Sequence, residues 1–373
     1  MSIVQRFSKT FFYLALFPAV LVLCAWQGWS WWSWATAPPV PKLSAELDAE
    51  KTVQIRIPPG STSKQIGSYL ESVGLIRSSN AWDLWARWLN TQNKGVFKAG
   101  TYQLSPTQSL EEIAEKLSQG SVVQVSFTIP EGRNLKQMAA YFESQGFFTA
   151  QEFLAATKQI PRDRFPWLPS NLPYLEGFLY PDTYQIATGG ITPQAIIDIM
   201  LKRFEEVALP IYQQNPEQKN LNLLQWVTLA SIVEKESVIP AERPRIAGVF
   251  TQRLQKGMRL EADPTVEYGL NIQQTADQPL TFKQVRTPSP YNTYLNRGLP
   301  PTPIASPGKA SLQATLNPEK TDYLFFVARY DGTHVFSRTL AEHNAAVAAI
   351  RKQRVQQQVQ QQNQGTTAKP NSN

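Results

Sequence analysis

Between Phe11 and Trp34 the chain carries no charged residue, FFYLALFPAVLVLCAWQGWSWWSW. As a helix this run would be about 36 Å long, enough to cross the hydrocarbon layer of a membrane. Its far end holds Trp26, Trp29, Trp31, Trp32 and Trp34, the aromatic enrichment of a lipid–water boundary, while Arg6 and Lys9 mark the near end as cytoplasmic. The pattern predicts a cytoplasmic stretch over 1–10, a single-pass anchor over 11–34, and everything after it outside the cytoplasm. A cleaved signal peptide also begins with basic residues, but its apolar part is roughly 7–15 residues, shorter than this run. Cys24 lies inside the run as a small apolar residue, with no small-residue box before it for lipidation. Residues 35–50, with Pro38, Pro39 and Pro41, read as a semi-extended linker lifting the next domain off the membrane.

Charge and cysteine content remove several function classes. The formal net charge is +7, but six of those charges come from Arg6, Lys9, Arg351, Lys352, Arg354 and Lys369, so the folded middle is nearly neutral. A basic isoelectric point of this origin is weak evidence for nucleic-acid binding. One cysteine, with His334 and His343 as the two histidines, leaves no disulfide framework and no His/Cys zinc set. No metal or organic cofactor is expected.

A strand–turn–helix unit recurs. The segment from Ile57-Pro-Pro-Gly60 through Lys64-Gln65-Ile66 and Tyr69 to Gly74 returns as Ile129-Pro-Glu-Gly132, Lys136-Gln137-Met138, Tyr141 and Gly146. A looser copy runs from Leu104 to Gly120. Each copy offers Ser, Thr or Asn as an N-cap and glycine as a stop, and Val96 to Tyr102 alternates like a strand. The pattern resembles LysM-type modules, which hold N-acetyl sugars in a shallow groove, and it predicts a membrane-proximal α+β domain over 51–127. A pure packing role explains the same turn and cap residues.

Candidate chemistry begins after residue 165. Tyr174-Leu-Glu176-Gly177-Phe178-Leu-Tyr180-Pro181-Asp182-Thr183-Tyr184 interleaves rings with carboxylates, which suits a sugar-binding wall in which Glu176 and Tyr184 would contact substrate. Leu221 to Ser237 reads as an apolar helix ending in Glu234 and Glu236. Two residues apart on a helix, these carboxylates point to different sides, so at most one acts in a given cleft. Both continue partly apolar stripes, and periodicity does not choose between them. Loops dense in proline, glycine, tyrosine and asparagine follow, around Asp263-Pro264, Tyr268-Gly269, Tyr291-Asn292-Thr293-Tyr294 and Gly298 to Gly308. Such loops hold polar groups in fixed positions, as a substrate groove requires. Asp331-Gly332 predicts a hairpin turn, with His334 in a structural or substrate-contacting role. His343, opening a helix over 340–350, is expected to pack. The Gln-rich end over 351–373 is expected to be disordered.

These motifs, LASIVEKES, ADPTVEYG, YNTY, GLPPTPIASPG, YLFFVA, HVF and HN, together resemble the endolytic murein transglycosylase (MltG or YceG-like) family from the anchor to about His343. Family members place Thr or Ser after the catalytic glutamate, so the resemblance implies Glu236, followed by Ser237, as the catalytic residue. It further implies a catalytic α+β domain over 128–350 facing the periplasm from the inner membrane. The implied reaction cleaves the β-1,4 bond between N-acetylmuramic acid and N-acetylglucosamine in nascent strands with 1,6-anhydro closure, ending their elongation. Asp263, Tyr268, Tyr291, Asn292 and Tyr294 would bind and orient the sugars, as would Ser237 by its hydroxyl. The family's partners are peptidoglycan glycan strands and, through the anchor, the membrane, with peptidoglycan synthases of the elongation or division machinery beside them. The alternative is a non-catalytic, membrane-anchored murein-binding scaffold for those synthases.

Overall fold

The computed structural model describes residues 16–41, 52–92, 97–120, 123–214, 221–275, 278–329 and 331–367. The chain divides into two compact units, residues 1–126 with 185–191, and residues 127–184 with 192–373. In chain order the first part forms α1 (Phe17–Thr36), β1 (Val53–Ile57), α2 (Ser63–Ser72), α3 (Ser79–Thr91), β2 (Gly100–Leu104), α4 (Leu110–Gln119) and β3 (Gln124–Thr128). Then come α5 (Leu135–Ser144), α6 (Ala150–Ala156), β4 (Thr183–Ala187), α7 (Pro193–Gln213), α8 (Leu223–Glu236), α9 (Arg243–Gln255), α10 (Asp263–Leu270) and α11 (Phe282–Val285). The chain closes with α12 (Lys309–Leu316), β5 (Phe325–Ala328), β6 (His334–Ser337) and α13 (Leu340–Thr367). The sheets are small: β1 pairs with β2, β3 with β4, and β5 with β6. This is the mixed α+β class that the motif order predicts.

The three sequence copies fold alike because each carries the same end signals. Thr62, Ser109 and Asn134 each accept the N3 backbone N–H of their helix, and Gln65, Glu112 and Gln137 each bond back to the cap. Such a reciprocal box satisfies amides that the first turn leaves orphaned. The middle copy stops at Gly120, which is left-handed and donates to the Lys116 carbonyl. In the first unit β1 and β2 run antiparallel with Ile55 opposite Tyr102, and both side chains enter a core with Ile57, Ile66, Leu70 and Trp82. The expected strand over 96–102 lies later, at Gly100–Leu104, and its first residue falls outside the described residues.

The N-terminal run forms helix α1 from Phe17. Residues 11–15 lie outside the described part, and among the described residues no helix is long and apolar enough to cross a membrane. Gln27 and the Ser–Trp alternation dilute the apolar character of its second half. The expected linker also begins differently. Ala35 is fully buried, Trp32 packs against the first core, and Val40 N–H donates to the Pro106 carbonyl at 3.1 Å. Residues 35–40 are thus attached to the first unit, because Trp32 and Ala35 bring apolar surface that this core covers.

In the second unit α8 is the central element. Asn222 and Gln225 cap it reciprocally, and Trp226 through Val233 are all buried. The Trp226 indole N–H donates to the Leu312 carbonyl at 3.1 Å, and Ile304 N–H donates to Ser231 Oγ at 3.0 Å. These bonds pin α12 and the 298–308 loop to the helix. The hairpin at Asp331-Gly332 forms as expected, with Val327 opposite Val335. His334 is structural: Glu242 accepts from its backbone N–H at 3.1 Å and meets its Nδ1 at 2.7 Å. His343 stacks on Phe325 as a packing residue, and burial lowers its basicity. The Gln-rich end departs from expectation, since α13 continues to Thr367. Glutamine is an ordinary helix former, so composition alone does not forbid this. Replacing Trp226 by Ala should destabilise the protein by about 3–5 kcal/mol through cavity formation and a lost hydrogen bond. Denaturant unfolding checks this, and a loss below about 1 kcal/mol would contradict the central place of α8.

Candidate active site

The burial of α8 delivers its two terminal glutamates to different environments. Glu234 accepts Ser311 Oγ at 2.7 Å, Gly308 N–H at 3.1 Å and an Arg243 guanidinium nitrogen at 3.4 Å. Its carboxylate sits at the start of α12, where the exposed amides and helix dipole favour a negative charge. Glu236 is half-buried and takes part in no hydrogen bond or ion pair among the described residues. Burial, reinforced by the negative charges of Asp263 and Glu267, pushes its carboxyl up to about 8, against the weaker pull of Arg253 and Lys235. Leu229, Ile232 and Val233 on its own helix are fully buried in the core and supply the apolar flank. Ser237 ends the helix in extended conformation, and its buried hydroxyl has no hydrogen-bond partner.

A cleft of about 720 Å³ opens beside this helix end. One wall is the first turn of α5, from the second repeat copy, with Asn134, Lys136 and Gln137. The opposite wall is α10 with Pro264, Glu267 and Tyr268, and Lys235, Glu176, Tyr174 and Tyr291 complete it. Lys136 Nζ donates to Asn271 Oδ1 at 2.9 Å from one wall to the other. Glu236 does not itself line this cleft; Lys235 and Glu267, its neighbours in sequence and in charge, do.

Glu176 is the second unusual carboxyl. It is 1% exposed and accepts the Leu135 N–H, the first amide of α5, at 3.1 Å, and the Tyr268 hydroxyl at 2.9 Å. Burial outweighs these bonds and pushes it up to about 8. Gly177 follows with φ of 81°, and a Cβ there would meet Pro303 at 2.4 Å, so glycine lets this turn pack against the 298–308 loop. The Tyr174 and Tyr291 hydroxyls bond to each other, and Tyr291 continues to Thr302 Oγ1 at 2.8 Å. Burial raises the Tyr268 and Tyr291 hydroxyls, which stay protonated and keep this network of hydrogen bonds closed.

The remaining expected residues separate into wall and support. Tyr294 donates to Asp263 Oδ1 at 2.6 Å, so these two are tied to each other at the start of α10. Asn292 is corrected from a sugar contact to a loop clamp: it is fully buried, donates to the Val285 and Thr287 carbonyls at 2.9 Å, and accepts from Tyr294 N–H. Both its amide hydrogens and one acceptor site are used inside the loop, and its burial leaves it no exposed face. Tyr184 is likewise corrected, because it stacks on Phe127 in the core and its hydroxyl bonds the Tyr180 carbonyl. Sequence reasoning did not single out Lys136, Lys158 or Thr157, which line the cleft, nor Arg253. Arg253 is buried and donates to the carbonyls of Leu324, Arg259 and Leu260, holding the 259–262 segment, where Glu261 has a φ of 53°. The departure of the second repeat copy from the first at Asn134 was the available signal for the α5 wall.

Because the folded state holds the Glu236 proton up to about 8, wild-type stability falls as pH rises from the ordinary glutamate range toward 8. In Glu236→Gln that loss is absent. The variant's stability relative to wild type should therefore grow by on the order of 1 kcal/mol per pH unit across this window and level off above it. Denaturant unfolding at several pH values measures this, and a pH-independent difference would refute the buried-acid assignment.

The sequence profile of the YceG-like family matches residues 55–349. An endolytic murein transglycosylase of Bacillus subtilis is 34% identical over 315 residues, covering 81% of this chain and 85% of that protein. One of the same name from Streptococcus pneumoniae R6 is 32% identical over 336 residues, with 82% of this chain covered and 60% of the longer relative. The crystal structure of a yceG-like protein from Listeria monocytogenes superposes with a TM-score of 0.54 at 33% identity, covering 79% of this chain and 99% of that one. Profile, relatives and fold agree with the motifs around Glu236 and α10: the chain belongs to the YceG-like family.

Proposed function

We propose that this chain is an endolytic peptidoglycan lytic transglycosylase. It cleaves the β-1,4 bond between N-acetylmuramic acid and N-acetylglucosamine inside nascent glycan strands and leaves 1,6-anhydro-muramic ends. The names of its relatives support the reaction class. The observation that carries the residue assignment is the contrast at the end of α8, where among the described residues Glu234 is bound by three donors and Glu236 by none. Glu236, held as an acid at neutral pH, donates its proton to the glycosidic oxygen as the C1–O bond breaks. The resulting carboxylate then takes the proton of the muramic C6 hydroxyl, whose oxygen bonds to C1 and closes the anhydro ring. The carboxyl ends the cycle protonated, and no water is consumed.

Hydrolysis would ask for a second free carboxylate to activate water or attack C1. The acids nearest in charge are already engaged, Asp263 by the Tyr294 hydroxyl at 2.6 Å and Glu267 by the Gln274 N–H at 2.6 Å. This occupancy favours the internal attack. Tyr268 and Tyr291 offer their rings to the N-acetyl sugars, Glu176 orients Tyr268 and α5, and the buried Ser237 hydroxyl beside Glu236 supports the carboxyl when substrate is bound. The function also takes the run over 11–34 as a single-pass inner-membrane anchor and 51–127 as a LysM-like domain, with the catalytic domain over 128–350 in the periplasm. Nascent strands and their synthases then lie within reach.

Mass spectrometry of murein digested by the detergent-solubilised protein tests the reading. Internal fragments ending in 1,6-anhydro-muramic acid are expected from wild type, with a loss of roughly a thousandfold or more in Glu236→Gln. The rate should decline above pH 8 as Glu236 loses its proton. Glu176→Gln should slow cleavage roughly tenfold to a hundredfold without abolishing it. Reducing ends, or full activity in Glu236→Gln, would overturn the assignment.

A further inference from the structure

The first unit carries an apolar stripe that its own core leaves uncovered. On α3, Leu84 and Trp88 stand one turn apart and are each 50% exposed, whereas Trp82 on the inner face is fully buried. Trp85 lies between the two faces and packs tilted against Trp88 with ring centroids 4.6 Å apart. It also meets Trp32 of α1 at 6.2 Å, so an unbroken ladder of indoles joins the outer face of α3 to the end of the N-terminal helix. That end is held firmly: Ala35 is fully buried, and Arg77 donates to the Trp34 carbonyl and lies 5.8 Å from the Trp34 ring.

We propose that the Leu84–Trp88 face of α3 lies in the lipid headgroup boundary, so that the first unit is docked on the bilayer rather than lifted off it. This rests on the anchor reading of the N-terminal run. Trp29 and Trp34 on α1 are 72% and 52% exposed and belong to that run, whose apolar surface needs lipid. The α3 stripe is continuous with them through Trp32 and Trp85, and a rigid joint leaves the two surfaces no freedom to enter different media. Indole rings prefer this boundary, where the ring is shielded and the N–H meets water. Arg87, one residue before Trp88, pairs with Asp83 at 3.7 Å, but its side chain is 79% exposed and reaches the boundary where anionic headgroups lie. A protein partner would cover α3 without accounting for its continuity with the anchor.

Electron paramagnetic resonance depth measurements test the docking on the full chain in vesicles of phosphatidylcholine and phosphatidylglycerol. Single spin labels are introduced by Gly28→Cys, Leu84→Cys, Trp88→Cys and Glu111→Cys in a Cys24→Ser background. A side chain at Gly28 meets nothing within 4 Å, and Glu111 is an exposed charge on α4 that should stay in water. Collision with oxygen, which concentrates in lipid, is compared with collision with a water-soluble nickel chelate. The oxygen-to-nickel ratio at 84 and 88 should exceed that at 111 severalfold. A lipid-like ratio at 28 with water-like ratios at 84 and 88 would overturn the docking and leave the anchor standing. A water-like ratio at 28 would overturn the anchor and the docking with it. Shielding of 84 and 88 from both reagents would mean that protein covers the stripe, which also overturns the lipid assignment.

Discussion

Eight consecutive buried residues of α8, Trp226 to Val233, fix the rotation of that helix. The helix is buried all round, so turning it would break its specific packing and the bonds that Trp226 makes to Leu312 and Ser231 to Ile304. Its last turn therefore cannot choose where its carboxylates point. Glu234 is directed at the amide of Gly308 and the hydroxyl of Ser311, and Glu236 emerges on the side of α10. The same helix that fastens α12 and the 298–308 loop through Trp226 and Ser231 thus separates a structural carboxylate from a free one.

Little regular structure surrounds the site, and its rigidity comes from side chains that close loops on themselves. Asn292 holds the 285–294 loop from within, and Thr293 Oγ1 accepts the Ala262 N–H at 3.0 Å while bonding Thr265 Oγ1 at 2.8 Å. Arg253 satisfies the carbonyls that precede α10. These groups are buried and satisfied, which is the condition under which polar loops rigidify rather than destabilise a core. The outcome is a pair of walls, α5 and α10, whose spacing depends on loops rather than on a sheet.

What was legible in the sequence follows from how local the signal is. The capped helices of the repeat and the Asp331-Gly332 hairpin rest on residues within four or five positions of each other, and they form as read. The helix ending in Glu234 and Glu236 was visible, but periodicity did not choose between them and only the family resemblance through Ser237 pointed to Glu236, because Ser311 and Gly308, which bind Glu234, lie more than seventy residues downstream. Asn292 and Tyr184 show the opposite limit. A polar residue in a Pro- and Tyr-rich loop looks the same in sequence whether it faces a ligand or the loop's own carbonyls. Likewise the proline-rich stretch after Trp34 gave no sign that Ala35 and Val40 attach to the first unit, since the Pro106 carbonyl that receives Val40 is remote in sequence.

The central claim is that one glutamate of α8 is an acid at neutral pH while its neighbour two residues earlier is tied into the structure by three donors. Carbon-13 NMR of selectively labelled glutamate side-chain carboxyls, titrated in wild type and in Glu236→Gln, reads this directly. The account predicts two resonances with midpoints near 8, from Glu176 and Glu236, of which one disappears in the variant. A Glu236 resonance titrating in the ordinary glutamate range, near 4.3, would contradict it.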